Sequence, residues 1–440
     1  MVLKHVPSMS VIPMEKKTIG LIAVVVVVVV AIAAIAIAMS GDEDNGPEIP
    51  TVASGTGTVY GNADGNCFID ETDIAVIESI IKGERALKDF PFADANNDGK
   101  VDQDDVQIVK DIIAKKPMKI KVLDTQDKVV EVQYPVDNFI VLAGSNLAPL
   151  MNVLDVSDKV VAAAYSTLDP IRDYDINEGI KAGKIVKLTT NGTAADLDAI
   201  SKLNTNVMLT EYSSMYDLDS DENIKTLNQW GIDVLCLECR DPGDDTRSMA
   251  VFGILLDRGE QAQGYIDYVD GVYDYIKKVE GDKFGDTTVL ISSLASSLCG
   301  RSSGYTTMIE LMAGGRNLAD WEENTKSTPV GSQWYFAEKY NSDVMFLGSA
   351  SNYMGSGFTE KAISGYAEKY SNMDVWKNRD VYIYSTSIPV VCRVAYYAEA
   401  MYPGLFADGW ANSIHQEFVD KYFGTDFTVN EDQFFKKINA

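Results

Sequence analysis

The chain has 440 residues, 46% of them hydrophobic, and 65 acidic against 38 basic side chains, for a formal net charge of -27. This balance argues against nucleic acid or anionic lipid as a partner and for a solvated, acidic surface. His5 and His415 are the only histidines, which removes Ser-His-Asp and Cys-His catalysis and any imidazole cluster for zinc or manganese, so the chain reads as a non-enzyme.

In chain order, the first feature is an uncharged run from Thr18 to Met39, almost wholly Val, Ile and Ala between Leu21 and Ala38. At about 1.5 Å per residue it reaches roughly 33 Å, enough to span a bilayer core. Lys4, Lys16 and Lys17 before it and Asp42, Glu43 and Asp44 after it place the amino terminus inside. The spacing therefore predicts a cytoplasmic tail at 1–17, a single-pass membrane anchor at 18–40 and an extracellular remainder. A cleaved signal peptide competes, but its apolar region usually runs about 7 to 15 residues, and no Cys follows the run here to take a lipid. Residues 41–57, with Pro, Gly, Ser and Thr, read as a flexible linker.

Two acidic loops come next. Asp94, Asn96, Asp98, Lys100, Asp102 and Asp105 fall at places 1, 3, 5, 7, 9 and 12 of a calcium loop, with Gly99 at 6 and the Lys100 backbone carbonyl at 7. Asn62, Asp64, Asn66, Phe68, Asp70 and Asp73 fill the same places in the first loop, which begins 32 residues earlier (62 to 94). Calcium wants six to eight oxygens, and alternate residues turned inward supply them. Cys67 stands where the first loop should have glycine, and a left-handed non-glycine residue costs about 1 to 2 kcal/mol. With neutral Asn62 at its first place as well, the first loop is expected to bind the ion more weakly than the second. Apolar-periodic helices follow each loop, Ile74–Ile81 and Val106–Ile113. This paired arrangement over residues 58–116 resembles the type I dockerin module, which implies two calcium ions and a cohesin-like partner.

From residue 117 the pattern is α/β. A hairpin is expected from 119–122 and 129–132, then strands at 139–142, 160–163, 207–209 and 234–237, and a second group at 288–291, 344–347 and 381–384, with helices between. Such alternation predicts parallel sheets with covering helices. The stretch 248–281, with Tyr265, Ile266, Val269, Val272, Tyr273 and Ile276 at helical spacing, is expected to be one long helix joining lobe one (about 117–245) to lobe two (about 285–440). The halves echo one another in Asn204-Thr205-Asn206-Val207-Met208-Leu209 and Asn341-Ser342-Asp343-Val344-Met345-Phe346. Cys236 and Cys239 sit in strand-like sequence without a second pair, so buried thiols are expected there.

The segment Asn138-Phe139-Ile140-Val141-Leu142 through Asn146-Leu147-Ala148-Pro149 to Asp158-Lys159-Val160-Val161, the run Ile309-Glu310-Leu311-Met312-Ala313-Gly314-Gly315-Arg316-Asn317 and the closing Met401-Tyr402-Pro403-Gly404-Leu405-Phe406 carry a second resemblance. Over most of 118–425 the chain resembles the substrate-binding proteins of ABC importers for iron chelates and cobalamin, whose two lobes are joined by a single helix. The fold so implied for 117–440 is a bilobal, periplasmic-binding-protein-like α/β domain. The function implied is capture of an iron(III) chelate, haem or corrinoid for delivery to ABC permease subunits. Loops at the carboxyl ends of the strands would supply the cleft. The residues falling there are Ser145, Asn146, Tyr165, Ser166, Glu211, Tyr212 and Arg240 from lobe one, with Arg301, Tyr305, Tyr353, Ser387 and Arg393 from lobe two. Tyr offers flat area to a macrocycle and Arg pairs with the carboxylates of an anionic chelate. The resemblance also implies an acidic permease contact at Glu222, whereas its counterpart on lobe two falls on Gln333. Two other functions remain open, a dockerin-bearing surface assembly protein and a secreted polysaccharide hydrolase. The hydrolase would need two carboxylates flanking a sugar cleft, and no pattern in the sequence selects such a pair.

Overall fold

The computed structural model describes residues 57–143, 147–165, 169, 171–211, 217–292, 298–299, 304–318, 327–328, 342–349, 353 and 357–439, all within one compact unit, Pro47–Ala440. The expected anchor at 18–40 and the tail before it lie outside the described residues, and among those described no helix is long and apolar enough to cross a membrane.

Both acidic loops run into helices, and the last two acids of each loop build the helix start. At α1 (Glu71–Ile81) the Asp70 carboxylate accepts from the Thr72 amide while Asp73 accepts from the Asp70 amide. At α2 (Gln103–Ile113) Asp102 and Asp105 do the same. Such reciprocal caps satisfy amides that a helix start leaves without partners, and each contributes about 1 kcal/mol. The two helices pack Val76 and Ile77 against Val106 and Val109, with Phe90 and Ala93 filling the space between. The expected strain at Cys67 is absent. The first loop turns instead at Gly65 (φ 78), the counterpart of Asn97 (φ 51) in the second loop, where Gly99 (φ 89) takes the left-handed place foreseen for it.

Backbone hydrogen bonds tie the loops to the body of the protein. Tyr60 N donates to Lys121 O and Leu123 N to Thr58 O, so the chain entering the first loop lies along β1 (Met118–Leu123), which forms the expected hairpin with β2 (Val129–Tyr134). Lobe one comes next, with β3 (Phe139–Ala143), β4 (Val160–Tyr165), β5 (Val186–Leu188), β6 (Val207–Thr210) and β7 (Asp233–Cys236) in one parallel sheet of order β5-β4-β3-β6-β7. Its crossovers are α3 (Leu147–Val153), α4 (Tyr174–Lys181), α5 (Ala194–Ile200) and α6 (Asp221–Gln229). Phe139, Ile140, Val141 and Leu142 of β3 are all fully buried, as a central strand covered on both faces must be.

The stretch read as one helix over 248–281 is two. α7 (Asp244–Leu255) ends at a turn, Leu256–Arg258, and α8 (Gly259–Glu280) folds back beside it. Asp257 takes the left-handed conformation (φ 58) that Asp tolerates. The helices approach closely because Gly253 has no side chain, and a Cβ there would stand 2.7 Å from that of Ala262. α7 is buried on nearly every face and only α8 shows one-faced periodicity, so spacing alone could not show the break. α8 is the segment that leads into lobe two.

Lobe two places β8 (Thr287–Ser292), β10 (Gly315–Asn317), β12 (Val344–Ser349) and β13 (Asp380–Ser385) parallel, with β14 (Phe435–Lys437) antiparallel at the far edge. The antiparallel pair β9 (Leu298–Cys299) and β11 (Ser327–Thr328) extends the sheet from the end of β8. The short strands β5, β9, β10, β11 and β14 were not foreseen from sequence, being two or three residues each. The echoed segments lead into β6 and β12, each lying beside the first strand of its sheet. Covering helices are α9 (Glu360–Tyr370), α10 (Val390–Met401) and α11 (Trp410–Tyr422). Tyr265 and Tyr268 of α8 meet Phe418 and Tyr422 of α11 with ring centroids 6.1 to 6.4 Å apart, and Tyr268 donates to Ile414 O.

His415 of α11 is buried, with the hydroxyls of Tyr353 and Tyr396 at 2.6 and 3.3 Å from its two ring nitrogens. Burial pushes the imidazole from its ordinary 6.5 down to about 3. The unfolded chain therefore takes up a proton that the folded one refuses, and stability that is fully present above about pH 6.5 is lost as pH falls toward 3. Replacing it by glutamine (His415→Gln) should remove a slope of up to about 1.4 kcal/mol per pH unit over that window. The check is chemical denaturation of both proteins across the range, and parallel curves would contradict it.

Candidate functional site

In lobe two, Tyr305, Ser387 and Arg393 come together. The Arg393 guanidinium, carried by α10 and buried, donates to Thr386 O and Ile388 O and so clasps the loop that holds Ser387. Its Cζ lies 5.8 Å from the centre of the Tyr305 ring, and its Nε has no partner. Burial works against the charge, but Tyr305, Tyr397, Tyr384 and Asp241 outweigh it and hold Arg393 protonated. Asp241, just beyond β7 in lobe one, is pushed up to about 6 by burial and by Glu238, against the pull of Arg240 and Arg393. The two lobes thus face one another electrostatically at this corner.

A small interlobe pocket is lined by Pro149, Leu150, Arg172 and Cys239 of lobe one, Tyr265 of α8, and Ser387 and Phe418 of lobe two. Arg172 was not foreseen, although Asp169-Pro170-Ile171-Arg172-Asp173 directly after the second strand of the sheet was the available signal. Both it and Asp173 are buried, joined by two parallel bonds of 2.9 and 2.8 Å. Asp173 also accepts from the Asp169 amide, and the other Asp169 oxygen accepts from the Tyr353 amide of lobe two at 2.7 Å. A bond therefore crosses between the lobes.

The remaining cleft candidates are scattered. Glu211 is buried, its amide donating to Leu142 O, and Arg240 is tied to Glu238. Tyr353 belongs to the core. It is 2% exposed, and its ring sits among His415, Phe423, Phe427 and Phe434, which leaves no face to a ligand. Ser145, Asn146, Ser166, Tyr212, Arg301, Gln333 and the side chain of Tyr165 lie outside the described residues. Glu222 stands exposed in the first turn of α6. Cys236 and Cys239 are buried free thiols, as expected, with burial pushing Cys236 up to about 12.

The two acidic loops close in the same way. Asp73 Oδ1 accepts from Ala63 and Asp64 amides, and Asp105 Oδ1 from the Asn96 amide. Along each loop, Asp64, Asn66, Asn96 and Asp98 accept from the amide two residues on, which curls the backbone inward. The loops differ at their first place. Asp94 accepts from the Asp98 and Gly99 amides, whereas Asn62 donates its Nδ2 to Gly57 O and Asn66 O, both at 2.8 Å. Asn62 Oδ1 is left buried without a partner, an oxygen that suits a cation. Burial, with Asp64 adding to it, raises Asp73 to about 7. Among the described residues no three His, Cys, Asp or Glu side chains are gathered as a metal-ligand set, because these carboxylates are turned onto backbone amides.

No family model matches the chain, and no curated protein matches it. Solved structures do. The TroA-like periplasmic binding protein FepB from Veillonella parvula is 17% identical, covering 72% of this chain and 99% of its own, with a TM-score of 0.53. The molybdate periplasmic binding protein MolA of Haemophilus influenzae, with molybdate bound, is 14% identical over 69% of this chain and 98% of its own, with a TM-score of 0.52. Helicobacter pylori CeuE in a nickel-histidine complex is 15% identical over 70% of this chain and 97% of its own, with a TM-score of 0.51. At these identities the likeness establishes the fold, which is that of the periplasmic binding proteins.

Removing the Arg172 guanidinium (Arg172→Ala) leaves the buried Asp173 carboxylate uncompensated and should cost about 3 to 5 kcal/mol in chemical denaturation. The double change Arg172→Met with Asp173→Asn removes both charges and should cost less. Equal losses would show that the pair is not desolvated.

Proposed function

We propose that this chain is the binding component of an ABC importer, anchored by its amino-terminal apolar run with the bulk outside the cell, and that it delivers a metal chelate to the permease. The chelate class is a ferric siderophore, haem or a corrinoid. The observation that carries this reading is the corner where Tyr305 and Arg393 of lobe two oppose Asp241 of lobe one, with a buried guanidinium nitrogen still free to donate. Such a nitrogen suits a carboxylate or phenolate oxygen of an anionic chelate, and the Tyr305 ring offers it a flat wall. Neighbours of the same fold described with molybdate and with a nickel-histidine complex support a metal-bearing or anionic guest. Glu222 is the acidic contact offered to the permease, on an exposed helix start.

Ferric siderophores, haem and cobalamin titrated separately into the protein, with intrinsic fluorescence as the readout, should give saturable binding by one of them. The Arg393→Ala variant should weaken it by about 10-fold or more, since a hydrogen bond to a charged group is worth roughly 1.5 to 3 kcal/mol. No response to any of the three ligands would exclude the transport reading.

We also propose that each acidic loop holds one calcium ion, the second more tightly. Four carboxylates in the second loop against three in the first support this order, as does Asp94 standing where the first loop has Asn62. Calorimetry with calcium should resolve two sites, and Asp98→Asn should weaken the tighter one only. A single class of site that survives this change would contradict the assignment. A surface assembly protein docking onto a cohesin-like partner through the same module is the second reading. It is supported by Ile81, left 38% exposed on α1, and binding to a cohesin-like domain without any response to metal chelates would favour it.

A further inference from the structure

The turn between α7 and α8 is held from two sides. From lobe one, Lys159 Nζ donates to Leu256 O and Arg258 Nε donates to Leu154 O. From the module, Lys115 pairs with Asp257, and the first acidic loop presses on Gly259. A Cβ on Gly259 would stand 2.4 Å from the Phe68 ring and 2.8 Å from Cys67 O, closer than real side chains approach. Cys67 O also borders Gly253 on the neighbouring helix.

These two residues are the sixth and seventh places of the first loop. In a loop of this type the seventh residue turns its backbone carbonyl to the ion. Phe68 therefore presents its carbonyl to the cation and its ring to the first residue of the helix that leads into lobe two. The Phe68 amide is held by Asn66 Oδ1 at 2.6 Å, and that oxygen is the one the calcium reading puts at the fifth place. Asn62 Oδ1, buried and without a partner at the loop's first place, is a second oxygen open to a cation. An ion that draws on Asn62, Asn66 and Phe68 cannot leave the Phe68 ring unaffected, and the ring has no slack against Gly259.

We infer that cation binding in the first acidic loop is coupled to the α7–α8 turn, so that the loop acts as a calcium-dependent brace on the segment joining the two lobes. The inference rests on the proposal that the first loop takes calcium. Coupling of this kind is reciprocal, so whatever disturbs the turn must also disturb the ion.

The test uses the full chain and calcium alone. Gly259→Ala puts a methyl into the Phe68 ring and should weaken the first-loop site by about 5- to 150-fold, the range typical of coupled sites. Gly264→Ala lies on the same helix with nothing within 4 Å of the new methyl and should leave calcium binding unchanged. In the unaltered protein, calcium should slow amide hydrogen exchange over residues 253–262, and the second-loop change Asp98→Asn should preserve that effect. Calcium binding at the first loop with exchange over 253–262 unaltered would overturn the coupling and leave the calcium proposal standing. Absence of any first-loop calcium site would overturn both.

Discussion

Three parts of the chain converge where Gly259 lacks a side chain. The first acidic loop lies against it, α7 packs beside it through Gly253, and lobe one holds the preceding turn through Lys159 and Arg258. A methyl group at that position has nowhere to go, because one neighbour is an aromatic ring and the other a backbone carbonyl. Close packing of this kind transmits displacement instead of absorbing it. The exposed Lys115–Asp257 ion pair adds little by comparison, since such pairs are worth at most about 1 kcal/mol and weaken with salt. Steric contact at Gly259 and backbone hydrogen bonds to β1, more than that ion pair, join the module to the body.

Charge decides what happens inside. In a chain this acidic, each buried guanidinium has a distinct role. Arg172 is neutralised by Asp173 within one turn of chain, and the pair is useful for where it puts Asp169, whose second oxygen reaches the amide of Tyr353 in the other lobe. Arg393 spends two donor bonds on the backbone carbonyls of Thr386 and Ile388 and sets its guanidinium near the Tyr305 ring. Asp245 shows a third solution. Burial raises it to about 7 and Tyr265 donates to it, so α7 and α8 share a polar contact where a fully ionised carboxylate would be costly.

Much of the architecture was legible because buried parallel strands are near-continuous apolar runs. Phe139–Leu142, Val207–Leu209 and Val344–Leu347 all became central strands, and the echo of Asn204–Leu209 in Asn341–Phe346 marks the same position in the two sheets. The edge strands were not legible, since three residues such as Val186–Leu188 carry too little periodicity. The break at Leu256–Arg258 was hidden because α7 is buried nearly all round and so carries no periodicity whose phase could be seen to change where α8 begins. At the site, strand ends led to Ser387 and Arg393, which the fold brings together beside Tyr305. Tyr353 misled because an aromatic residue after a strand serves a core as readily as a cleft, and its neighbours Phe427 and Phe434 come from far along the chain. Arg172 escaped because a buried arginine with its carboxylate next in sequence looks like an ordinary solvated pair.

The bond from Asp169 to Tyr353 bears on how such a cleft works. Tyr353 is fixed at both ends, by that bond at its amide and by His415 at its hydroxyl, and α11, which carries His415, also packs its aromatic face on α8. Opening the lobes widely would break a charge-assisted hydrogen bond already withdrawn from water and expose the Arg172–Asp173 pair, each a cost of several kcal/mol by the usual scale for buried ions. Wide separation of the lobes is therefore disfavoured. The α7–α8 turn lies apart from this latch and is held by its own contacts to lobe one and to the first acidic loop. The proposed brace and the latch thus act on the joining segment at two separate places, the first acidic loop at the start of α8 and α11 along its length.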